Sequence, residues 1–162
     1  MKVKFSLLVL VCVAMAQCVS PPDYPIEPRL SLGSRILSKN TVLSDIGASS
    51  RDSVLITVEF TDGDGDIGLT KSDSSLYIID TRDNSRINDA RGLLYVPEQG
   101  AGNGISGEIS MVVYGGCCRG IAPCTFQNDR ARDTVSYEIY IKDRAGHESN
   151  RVKTPPISII CK

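Results

Sequence analysis

The sequence predicts an all-β domain. Apolar and polar residues alternate over two runs, residues 53–60 and 134–142. That is the period of a strand with one buried face. No long helical period appears, and Gly, Asp, Ser and Pro separate the short apolar runs. Such spacing belongs to sheets made of many short strands.

Length and charge bound the rest. The chain has 162 residues, enough for one domain behind a targeting segment. The formal net charge of −1 sets up no broad field for nucleic acid. Tryptophan is absent, yet a hydrophobic fraction of 41% can fill one core.

Lys2 and Lys4 precede an apolar run over residues 5–16. This is a basic n-region followed by the h-region of an export signal. It is too short to span a bilayer comfortably. Two processing readings are open. Ala14-Met15-Ala16 suits a small-x-small cut before Gln17 and simple secretion. Met15-Ala16-Gln17-Cys18 resembles a bacterial lipobox, in which Cys18 is lipidated and becomes the first mature residue, although Gln17 stands where a small residue is usual. The polar, Pro-rich sequence after Cys18 favours the lipoprotein over an ordinary disulfide partner at that position. The signal then covers residues 1–17, and Pro21, Pro22, Pro25 and Pro28 make residues 18–28 an extended, semi-rigid tether. The domain covers residues 29–162.

Residues 29–39 carry Leu30, Leu32, Ile36 and Leu37 and are expected as strand A; residues 40–51 read as a loop. Residues 53–60 form strand B, with Val54, Ile56, Val58 and Phe60 on one face. Residues 76–80 form strand C, and residues 81–91 a polar turn region. Residues 93–96 form strand D, closed by Pro97. Gly100, Gly102, Gly104 and Gly107 bar regular structure over residues 98–107. No helix follows them, so a wide hairpin loop is preferred to a phosphate cradle. Residues 108–114 form strand E, with Ile109, Met111 and Val113 on one face. Residues 115–133 are a long loop. Residues 134–142 form strand F, with Val135, Tyr137, Ile139 and Ile141 facing in and Tyr140 facing out. A turn begins at Asp143, and the chain returns over residues 151–161 as strand G, where Pro155 and Pro156 suit a sheet edge.

About seven short strands with turns between them fit an immunoglobulin-like, antiparallel β-sandwich. A jelly roll or a partly open barrel is also compatible. In the sandwich the B–C, D–E and F–G connections share one pole.

That pole gathers the densest charge in the chain. Asp62, Asp64 and Asp66 alternate with glycines directly after strand B. Like charges this close repel unless something positive sits among them. Glycine lets the backbone fold the carboxylates around one point. Hard oxygen ligands on a short loop suit calcium, which takes about six to eight of them. Asp143 and Asn150, from the F–G connection, are expected to complete the set with carbonyls and water. The ion would pin B–C to F–G. The segment resembles the calcium loops of EF-hands and thrombospondin type 3 repeats. Ile67 stands where an EF-hand has Gly, Asp73 where it has Glu, and no helices flank the loop, which sets the EF-hand aside. An acidic turn without an ion is the competing reading.

Cys117, Cys118, Cys124 and Cys161 remain in the exported chain and favour two disulfides. Cys117 and Cys118 are adjacent and do not bond each other without strain. One is expected to pair with Cys124 and the other with Cys161; which is which stays open. A zinc site is disfavoured, because the adjacent pair lacks the usual gap. Cys12 leaves with the signal.

Over nearly the full mature chain the sequence resembles uncharacterised lipoproteins of Bacteroidota. The matching stretches are the signal ending at Cys18, the run from Asp23 to Pro28, and Phe60-Thr61-Asp62-Gly63-Asp64-Gly65-Asp66-Ile67-Gly68. The run from Gly100 to Gly107, Cys117-Cys118, and Tyr140-Ile141-Lys142-Asp143-Arg144-Ala145-Gly146-His147 complete them. The resemblance implies the cell envelope and an immunoglobulin-like sandwich, and brings no activity with it.

No nucleophile elbow, HExxH or Walker loop is present, and His147 is the only histidine. The clustered aspartates are too close together for glycoside hydrolysis. The expected function is therefore non-catalytic: an outer-membrane lipoprotein, periplasmic or surface-exposed, acting as a calcium-stabilised structural or binding module. Its partner would be an envelope protein or a glycan. The alternative is a hydrolase or accessory domain with a calcium-assisted site.

Overall fold

Period-two patterning builds the longest ladder of the molecule. The computed structural model describes residues 22–44, 52–68, 75–82, 87–97, 104–114 and 132–161. Among them are ten strands and no helix. These are β1 (Arg29–Ser31), β2 (Thr41–Leu43), β3 (Ser53–Asp62), β4 (Leu76–Asp80) and β5 (Ile87–Arg91). They continue with β6 (Ile105–Tyr114), β7 (Arg132–Val135), β8 (Tyr137–Ile141), β9 (Val152–Lys153) and β10 (Ile157–Ile160). β3 and β6 pair antiparallel from Ser53 opposite Tyr114 to Asp62 opposite Ile105.

Three sheets result, with strand orders β1-β3-β6, β2-β10-β7 and β5-β4-β8-β9. All three contribute to one core. Ile56 and Val58 come from the first, Val42, Ile157 and Ile159 from the second, and Ile78, Ile139 and Ile141 from the third. Burying each such side chain contributes about 1.5–3 kcal/mol. Branched aliphatics thus join the sheets where no tryptophan is available. The layering is that of a β-sandwich. β3 lies between β1 and β6, and β8 between β4 and β9.

Several elements differ from expectation. Strand F is two strands. β7 pairs with β10, whereas β8, one residue later, pairs with β4. The buried Thr154 holds this corner: Tyr137 N–H donates to Thr154 Oγ1 (3.0 Å), and Thr154 N–H donates to the Tyr137 carbonyl (2.9 Å). The split lets one run of chain serve two sheets. Tyr140, expected to face out, is buried and stacks on Tyr77 with ring centroids 4.6 Å apart.

Residues 93–96 form no strand, and Leu94 is 91% exposed. The pairing partner of β4 comes instead from the polar region before it, as β5. β2 lies in the expected loop over residues 40–51 and runs parallel to β10. Strand A is regular only over β1, with an isolated bridge later between Leu37 and Ile56. Cys161 follows β10 and is disulfide-bonded. Cys117, Cys118 and Cys124, the export signal and Cys18 lie outside the described residues.

Candidate metal centre

Asp62 is the last residue of β3 and continues the inward alternation of Val54, Ile56 and Val58. A carboxylate therefore occupies a core-facing position, with 0% exposure. The chain then turns back on itself. Gly65 supplies the left-handed backbone (φ 70°) that the turn requires. The Asp66 N–H donates to Asp62 Oδ2 at 2.9 Å. Ile67, 3% exposed, plugs into the core and fixes the end of the loop.

Asp143 comes from the connection after β8 and is 3% exposed. Its Oδ1 accepts from the N–H groups of Gly146 (2.6 Å) and His147 (2.8 Å), which ties the turn to its own first residue. Its Oδ2 lies 2.8 Å from His147 Nδ1.

The two loops are joined. Ala145 N–H donates to Asp66 Oδ2 (2.9 Å), and Arg144 N–H to the Asp66 carbonyl (3.3 Å). Arg144 Nη1 donates to the carbonyls of Ile67 (3.1 Å), Gly68 (3.3 Å) and Val96 (3.0 Å), and the guanidinium lies over the Tyr95 ring. Val96 N–H donates to the Ile67 carbonyl at 3.2 Å. Residues 93–97 are thus tied to the acidic loop through Val96 and join no sheet.

The outcome is a cluster of four carboxylates. One oxygen each from Asp62, Asp64, Asp66 and Asp143 lies within 4.8 Å of the others. Oδ1 of Asp62, of Asp64 and of Asp66 is buried and has no hydrogen-bond partner. Burial pushes the Asp62 carboxyl up to about 7, and the charges of Asp64, Asp66 and Asp143 add to this against the Asp66 N–H. Burial and the neighbouring Asp143 and Asp64 charges also raise Asp66. The bond to Asp143 and its charge hold His147 above its ordinary value, with smaller contributions from Asp64 and Glu27. Buried like charges with idle oxygens can hold a metal ion, which satisfies the oxygens and reverses the repulsion.

Asp62, Asp64, Asp66 and Asp143 come together as the sequence suggests. Asn150, expected beside them, bonds the first strand. Its Oδ1 accepts from Leu30 N–H (2.8 Å) and its Nδ2 donates to the Leu30 carbonyl (3.0 Å). Both ends of the amide thus bond the main chain of β1. Arg144 and the His147 contact to Asp143 were not evident from residue types alone. Their signal was a basic and a titratable side chain inside a turn expected at the acidic pole. Comparison with protein-family models, curated proteins and solved structures finds no match to this chain.

Proposed function

We propose that this chain is a non-catalytic lipoprotein of the cell envelope, anchored through Cys18, whose β-domain is stiffened by calcium. It would serve as a structural or binding module for an envelope protein or a glycan. One observation carries the calcium reading: Asp62 and Asp66 are at least nine-tenths buried, each has an unpartnered carboxylate oxygen, and both belong to the four-aspartate cluster. Unpaired buried carboxylates are costly unless a cation compensates them. Carboxylate oxygens select hard cations such as calcium over zinc, which favours Cys and His. Asp64, less buried than its neighbours, leaves a side on which carbonyls or water can complete the shell. The resemblance to Bacteroidota lipoproteins and the lipobox at Cys18 support the envelope assignment.

A calcium-assisted hydrolase would need a concave pocket with convergent polar groups at this cluster. Among the described residues, a groove of about 640 Å³ is lined by Arg35, Leu55, Glu59 and Glu108 among others and holds none of the four aspartates. Titration calorimetry tests the reading: calcium should bind at one site, and chelator should lower the melting temperature. No heat, with equal melting in calcium and chelator, contradicts it. A pull-down from envelope extract with and without calcium then identifies the partner.

A further inference from the structure

The segment before β1 is not a free tether over its described residues, 22–28. Gly63, in the acidic loop, donates its N–H to the Pro25 carbonyl at 2.8 Å. A Cβ on Gly63 would strike the carbonyl oxygens of Tyr24 and Pro25, the latter at 2.6 Å. A Cβ on Gly104 would lie 2.8 Å from the Tyr24 ring and 3.1 Å from the Asp62 carbonyl oxygen. Pro28 is fully buried. Two residues on, the Asn150 amide clamps both main-chain groups of Leu30, and Arg29 pairs with Thr61 beside the loop. Residues 22–30 therefore touch both chain segments that supply the carboxylates.

Resting on the calcium reading above, we infer that the N-terminal arm, residues 22–30, is a latch closed by the cation. The ion holds the 62–66 loop and the 143–150 turn in the shape against which the arm docks. Without it, repulsion among the four carboxylates opens that shape and releases the arm. Linkage makes the effect reciprocal: whatever factor the ion adds to docking, docking adds to ion affinity. In a chain anchored through Cys18, the cation then decides whether the domain is held rigidly against its tether or swings from it.

Hydrogen exchange on the full chain in detergent tests this. The Leu30 amide reports docking, since its acceptor is Asn150 and not a carboxylate of the cluster. Calcium should slow its exchange by about tenfold or more, within the usual range of coupling between sites. Calorimetry on Gly63→Ala, which crowds the arm, and on Asn150→Ala, which frees β1, should each show calcium binding weakened about tenfold. If the wild-type protein binds calcium while Leu30 exchange and both variants' affinities stay unchanged, the latch is wrong and the cation site stands. If the wild-type protein binds no calcium, both fall together.

Discussion

At the scale of the residue, Asp62 stands where a valine would continue the core face of β3. Its position has a consequence for pH. In the ion-free fold the carboxyl is raised to about 7, above its ordinary 3.8. The native state then binds the proton more tightly than the unfolded chain. Stability from this group is present below about pH 4 and is lost as pH rises towards 7. In chelator, therefore, the melting temperature should fall across that window. In calcium the fall should flatten, because the bound ion favours the charged form and its binding releases protons. Melting curves at pH 4.5 and 7.5, with and without calcium, check the sign. Asp66→Asn should weaken calcium binding by at least the 10–100-fold typical of disturbed metal sites, measured by calorimetry. The acidic triplet and Asp143 are legible in the sequence because charge at alternate positions has few other uses. Asn150 bonds both main-chain groups of Leu30, a use that its residue type does not announce.

At the scale of the element, β3 is legible because one buried face imposes period two on β-branched residues, and β4 and β8 are legible as short apolar runs buried at most positions. β5 is not: Ile-Asn-Asp-Ala-Arg carries no such pattern, and its place is set by the ladder that β4 offers. The reverse holds for residues 93–96, apolar enough to resemble a strand yet held by Arg144 and the Ile67 carbonyl. These assignments predict different mutational costs. Ile139→Ala, at 0% exposure in the core, should destabilise by about 2–5 kcal/mol. Leu94→Ser, at 91% exposure, should change stability by less than about 0.5 kcal/mol. Thr154→Val should cost about 1–3 kcal/mol, since it leaves the buried Tyr137 N–H without its acceptor at the sheet-switching corner. Denaturant unfolding measures all three.

At the scale of the whole molecule, the acidic loop and the turn after β8 meet as the sequence suggests, whereas the places of β2 and β5 do not follow from the apolar runs. The docked arm was not legible. Its prolines announce an extended chain, and only the absence of a Cβ at Gly63 makes room for it against the loop. Calcium at about 100 times its dissociation constant should add about 2.7 kcal/mol to the stability of the proposed holo form. The melting temperature should rise by several degrees, as scanning calorimetry would show. Labelled palmitate should enter the wild-type protein and not Cys18→Ser; equal labelling removes the anchor from the account.

The most direct measurement is anomalous diffraction from a crystal grown with calcium. The account predicts one strong peak bonded to oxygens of Asp62, Asp64, Asp66 and Asp143 at about 2.3–2.6 Å. A cluster holding only water, or a peak bound by other residues, would contradict it.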